Sequence, residues 1–198
     1  MYNTQFFHTV LLFLAAVSGS LTQQLREDLK AGNIIVENQE LYIKKEISGG
    51  GIVNLITSAT ETLDGICNFD KNYLEQGRAF VFDRIAINYA TDAASGKEGE
   101  LEYGTKAPAA LQNADLLILQ EGRVVFTMSV RSLTNIETGQ ASADEYSQLR
   151  ALAHFVDKRK IEIQLKFPDG VALSGAAKHY IYVRFNGCQT TKKTNVNS

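Results

Sequence analysis

Cys188 and His179 are the residue types of a thiol nucleophile and its general base, a pairing that would support acyl transfer. Such partners are matched in space rather than in sequence, so the pair stands as a candidate. Beside it stands the plainer reading of a strand histidine and a packed thiol. The other histidines, His8 and His154, form no HxH, HExxH or His/carboxylate pattern with it, which argues against a metal site. Ser18-Gly19-Ser20 and Leu173-Ser174-Gly175 do not make the GxSxG elbow of a hydrolase. Gly96-Lys97-Glu98 lacks the upstream glycine and the Ser/Thr of a phosphate-binding loop. Asp64 and Asp70 flank Cys67 without the oxygen spacing of a calcium loop. Asp115, Glu121, Asp144 and Glu145 could supply a carboxylate pair, but a chain with 22 acidic residues offers many such pairs. Exposed charge is the reading adopted for them. The expectation is therefore no catalytic residue, no cofactor site and no metal site.

The aromatic residues admit two readings. Tyr180, Tyr182 and Phe185, with Phe80 and Phe82, could line a sugar- or base-stacking surface. Aromatics alternating along strands more often pack in a core or across strands, and that reading is preferred. The balance of charge adds little. A net charge of -2 over 198 residues gives no global pull toward nucleic acid. A hydrophobic share of 44% against 21% charged is that of a globular domain. Cys67 and Cys188 could form one bridge, but neither lies in a CxxC or zinc-type spacing, so buried free thiols are expected.

The elements that would position these residues are mainly strands. Leu116 to Val130 holds two apolar, β-prone runs about a Gln-Glu-Gly-Arg turn, a hairpin signal. A second pair of strand-like runs, Ile161 to Phe167 and Tyr180 to Phe185, closes the chain around Pro-Asp-Gly. Ile34 to Val36, Leu41 to Ile47, Ile52 to Thr57, Leu63 to Phe69 and Ala79 to Tyr89 also read as strands. In the last, alternation sets Phe80, Phe82 and Arg84 on one face, and Val81, Asp83, Ile85, Ile87 and Tyr89 on the other. Leu21 to Lys30 has leucines at helical spacing. Ala141 to Phe155 is predicted as a helix, with Ser142 as cap, Glu145 three residues later, and Leu149, Leu152 and Phe155 on one side. Thr91 to Ala107, rich in Gly, Ala, Ser and charge, is expected to be a long exposed loop. The absence of βαβ alternation disfavours a parallel sheet, and two packed antiparallel sheets are the expected solution.

The N-terminus carries an apolar stretch, Val10 to Val17, followed by Ser18-Gly19-Ser20. It has the look of a signal-peptide core, although no Lys or Arg precedes it, and it is too short for a span of roughly 20 apolar residues. An uncleaved arm is preferred, buried against another chain or lipid and loose in the free protomer. A cleaved leader on a secreted or periplasmic β-sandwich binding module is the alternative.

Three segments carry a family resemblance: Phe82-Asp-Arg-Ile-Ala-Ile-Asn-Tyr, Ala107-Pro-Ala-Ala-Leu-Gln-Asn-Ala-Asp leading into the Leu116 hairpin, and His179-Tyr-Ile-Tyr-Val-Arg-Phe-Asn-Gly. In this order the chain resembles jelly-roll capsid proteins of non-tailed, lipid-containing icosahedral bacteriophages. The resemblance covers about residues 34 to 188. It implies a mainly β fold, a single viral-type jelly roll with an inserted helix and an N-terminal helical or extended arm. The expected organisation is an arm over 1–33, a sandwich domain over 34–188 and a polar tail over 189–198. It further implies a coat or penton (vertex) protein of the virion. Its partners would be copies of itself, other capsid proteins and, through the arm, an internal membrane; a homo-oligomer is expected and no specific nucleic acid. The family's major coat proteins often carry two jelly rolls, and this chain has length for one.

Overall fold

The computed structural model describes residues 2–134 and 145–193. Its strands are β1 (Ile34–Ile47), β2 (Ile52–Asn54), β3 (Ala79–Asp92), β4 (Asp115–Gln120), β5 (Arg123–Ser129), β6 (Ser147–Val156), β7 (Ile161–Lys166) and β8 (Lys178–Lys192). They form two antiparallel four-stranded sheets, sheet A in the order β1-β8-β3-β6 and sheet B in the order β2-β7-β4-β5. Apart from the β4–β5 hairpin, every connection carries the chain from one sheet to the other. Ile43, Phe80, Phe82, Ile87, Phe155, Val183 and Phe185 of sheet A share one buried core with Leu116, Ile118, Ile161, Ile163 and Leu165 of sheet B. This is the arrangement of a β-sandwich.

Local chemistry explains the best-formed elements. In β7 the residues Ile161, Ile163 and Leu165 are buried while Glu162 and Gln164 alternate outward, the period of a half-buried strand. The β4–β5 turn places Glu121 at φ 51° and Gly122 at φ 73°, the two positive values that match the twist of a two-residue hairpin. At the other sheet, β3 carries a bulge between Phe82 and Arg84. The bulge resets the alternation: Phe80, Phe82, Ile85, Ile87 and Tyr89 all point into the core, which corrects the assignment of Ile85, Ile87 and Tyr89 to the face opposite Phe80 and Phe82. Gly187 lies across from it, where a Cβ would sit 2.1 Å from the Val81 carbonyl oxygen and 2.7 Å from Phe82 Cα. The backbones approach too closely there for any side chain.

Several expectations are corrected. The inserted helix does not form: Ser147 to Val156 is strand β6, paired with β3, while Ser142 lies outside the described residues. Ile34–Val36 and Leu41–Ile47 belong to one strand, and Leu63–Phe69 holds only isolated bridges, Leu63 with Cys67 and Ile43 with Cys67. These bridges, with Lys44 N donating to Ile66 O at 2.8 Å and Tyr42 N to Asn68 Oδ1 at 2.7 Å, cover the free edge of β1. The two closing runs make no hairpin, because β7 lies in sheet B and β8 in sheet A. Strand β8 continues to Lys192, so residues 189–192 belong to the sheet rather than to a tail.

The N-terminal region is also ordered differently. Helix α1 (Tyr2–Ala16), a single 3-10 turn (Ser18–Ser20) and helix α2 (Gln23–Lys30) precede β1. Val10, Leu14, Leu21 and Leu25 are buried against Ala79, Val81, Val156 and Cys188 on the outer side of sheet A. The arm thus covers its own domain, which corrects the expectation that only another chain or lipid could bury it. No described helix is long and apolar enough to cross a membrane.

Candidate interaction surface

The residues singled out for chemistry do not converge. His179 and Cys188 sit nine positions apart on β8, roughly 30 Å at the rise of a strand, so they form no nucleophile pair. The Cys188 thiol is pushed up to about 11, by burial first and then by the Asp83 carboxylate, which keeps it protonated and unreactive. Cys67 is raised by burial as well, and both thiols are free. His179 Nδ1 shares a short hydrogen bond with the buried Tyr89 hydroxyl, which burial raises. His8 is exposed on α1. Among the described residues, no three His, Cys, Asp or Glu side chains gather as a metal site would require.

The acidic candidates are scattered. Asp64, Asp70 and Asp115 are exposed, and Asp144 lies outside the described residues. Glu121 accepts a hydrogen bond from Lys160 N at 2.8 Å in the hairpin turn. Lys97 pairs with Glu100 at 2.8 Å in an exposed loop. Phe80, Phe82 and Phe185 pack against Phe155 in the core, at centroid separations of 5.2 to 6.4 Å within that cluster and its neighbour Phe69. Tyr180 is buried, its hydroxyl donating to Ala94 O at 2.6 Å. Of the aromatic group, only Tyr182 reaches a surface. A stacking platform is not assembled from these five residues.

What remains are the outer faces of the two sheets. Sheet A is covered toward both ends, while Asn38, Arg84 and Asn186 between the two covers are exposed. One end lies beneath α1 and α2. Over the other end, the segment 93–108 folds back, so the expected exposed loop is partly a cover. Thr105 N donates to Tyr89 O at 3.1 Å, and Ala107 is buried. Tyr103 from this segment packs 5.4 Å from Tyr182, and Lys44 Nζ sits over both rings at 5.6 and 5.0 Å. Beside them the Arg184 guanidinium stacks between Tyr146 at 4.8 Å and Tyr182 at 5.0 Å. It donates to Asn88 Oδ1 at 2.9 Å and pairs with Glu145. The Tyr146 hydroxyl donates to Glu40, and burial together with that carboxylate holds its ionisation far above the usual range. A guanidinium held between two rings and bonded on its edge is a rigid construction. Its carriers, Tyr146, Tyr182 and Arg184, were not visible as a group in the sequence, since Tyr182 and Arg184 lie on β8 and Tyr146 immediately precedes β6.

The outer face of sheet B is open. Leu117 and Leu119 point outward from β4 and are half-buried, and they stand beside Glu162 and Gln164 of β7. Ile52 at 58% and Val124 at 59% exposure flank them on the two edge strands. Four apolar side chains facing water on one sheet are the strongest surface candidate for contact with another molecule. Compared with family models and with curated proteins, the sequence matches none.

Proposed function

We propose that the chain is a shell-building protein: a single viral-type jelly roll acting as coat or penton subunit of an icosahedral virion. The observation that carries this reading is the nested strand order, in which β1 pairs β8, β2 pairs β7, β3 pairs β6 and β4 pairs β5. An antiparallel ribbon of four such pairs, curled so that successive pairs alternate between two sheets, gives the eight-stranded roll of capsid and lectin domains. The fold alone leaves several functions open, so the site must decide among them. Phe80, Phe82, Phe155 and Phe185, all with no exposed surface, pack the interior with apolar rings and offer no polar group to a ligand. Function then belongs to the outside of the sandwich.

On that outside, sheet B presents Ile52, Leu117, Leu119 and Val124, and the partner this reading gives them is another copy of the chain. A stable contact needs on the order of 1,200 Å² of total buried surface, about the extent of one sheet face with its rim counted on both partners. The secreted-module alternative fares worse. Cleavage near Ser18–Ser20 would remove Val10 and Leu14 and bare Val81 and Cys188. With those anchors on its own domain, α1 offers neighbours or lipid only its outward side, where Leu12 is 59% exposed.

Light scattering of the purified full chain at rising concentration tests the proposal. A closed oligomer that grows in at the expense of monomer is expected. A strict monomer at every concentration would contradict a shell-building role.

A further inference from the structure

His154 sits where the arm meets the sandwich. It lies on the outer side of β6, opposite Val81 of β3, in the patch that α1 covers. The Phe13 ring of α1 meets it edge-on at 5.3 Å. Ser20 Oγ of the 3-10 turn lies 3.2 Å from its Nε2. Ser20 Oγ donates its own hydrogen to Val17 O at 2.8 Å, so it can only accept from His154, and Nε2 carries the ring hydrogen. An added proton would enter at Nδ1 of a ring enclosed by the arm.

We propose that His154 is a pH-sensitive latch for the N-terminal helix: neutral, it holds α1 on sheet A, and charged in mild acid it lets α1 swing free about Ser18–Ser20. The surroundings supply no compensation for the charge. Residues 1–25 contain no Asp, Glu, Lys or Arg, so α1 and the turn bring no carboxylate. From β3 comes Asp83, two residues beyond Val81, its carboxyl raised by burial. From β8 comes the protonated Cys188 thiol. From the turn after β6 come Asp157 and Arg159. The Asp157 carboxylate is engaged with the Thr22 hydroxyl at 2.7 Å and with Gly77 N at 2.6 Å, and Arg159 is a like charge.

Burial first, and Arg159 second, hold the ring below its ordinary value of 6.5 while the arm is closed. The sign follows from linkage. The open state, with the ring in water, binds the proton more readily, so closure is fully stable above the open-state value. Closure weakens as pH falls below that value, by at most about tenfold in the closed-to-open ratio per pH unit, until the closed-state value is reached. Release would uncover Val81, Val156 and Leu25 on the sheet side, and Val10 and Leu14 on the helix. The device is independent of any shell-building role, since it needs only the single chain.

Hydrogen exchange on the full chain, read as protection factors to remove the intrinsic pH effect, tests it between about pH 7.5 and about pH 5.5. Amides of residues 5–16 should lose up to about tenfold protection while those of β7 keep theirs. His154→Gln, which keeps a donor to Ser20 without titrating, should abolish the loss, and His8→Gln and His179→Gln should retain it. Equal protection of α1 at both pH values, or the same loss in His154→Gln, would overturn the latch. Should that variant fail to fold, the ring titration of His154 in the unaltered chain decides by NMR. A value below 6.5 supports the proposal, and one at or above it refutes it.

Discussion

Sheet A and sheet B contribute alternating residues to the same core, yet their outer faces have opposite fates. Sheet A is covered by its own chain toward both ends, with α1 and α2 at one and the Tyr103, Tyr182, Arg184 and Tyr146 stack at the other, and only polar Asn38, Arg84 and Asn186 exposed between them. Sheet B leaves Ile52 and Val124 more than half exposed and has polar and apolar side chains interleaved between them. Energy on sheet A is therefore spent on holding one subunit together. On sheet B the corresponding surface is unspent, and any gain from burying it goes to association. The difference predicts that substitutions should separate into those that change protomer stability and those that change assembly.

The largest effect belongs to the shared core. Phe82→Ala removes a ring that touches Phe80, Phe155 and Phe185 and leaves a void, which should destabilise the protomer by about 3 to 5 kcal/mol in urea denaturation. Gly187→Ala follows, at about 3 kcal/mol, because its Cβ would strike the Val81 carbonyl and force β3 and β8 apart at the bulge. Leu14→Ala should weaken docking of α1 by about 2 kcal/mol, visible as lost exchange protection in residues 5–16 with β4 and β7 unchanged. Arg184→Lys keeps the charge but loses the planar stack and the bond to Asn88, for about 1 kcal/mol and a small drop in thermal midpoint. Val124→Asp, on the open face, should shift protomer stability by less than about 0.5 kcal/mol while abolishing the oligomer in light scattering. A Val124→Asp protein that unfolds, or a Leu14→Ala protein that loses only assembly, would break the division between the faces.

The sequence made some of this legible and hid the rest for physical reasons. Ile161–Lys166 and the Glu121–Gly122 hairpin were readable because alternation and turn chemistry act within a few residues. The misread helix has a definite cause. Along the β3–β6 ladder, Arg84 pairs with Gln148 and Phe82 with Ala153, so β6 advances five residues while β3 advances two. The three extra residues within 149–152 break the alternation, and Leu149, Leu152 and Phe155 recur at three, the interval of a helix face. The bulge at Asp83 did the same to β3, moving Ile85 to the side that alternation denied it. Which sheet a strand enters depends on distant pairings, 45 residues apart between Ile118 and Ile163 and 140 between Ile43 and Val183, and no local pattern records that. The docking of α1 was hidden because its anchors, Val81, Val156 and Cys188, come from three distant strands. Absence of a catalytic constellation gave the sequence little to say about a site, and the outer-face contrast emerged only from the fold.

Electron cryo-microscopy of the concentrated full chain tests the central claim most directly. Closed rings or shells in which neighbouring copies bury Leu117, Leu119 and Val124, with α1 still seated on its own sheet A, are the expected result. Isolated protomers alone, or particles whose contacts leave the outer face of sheet B bare, would contradict it.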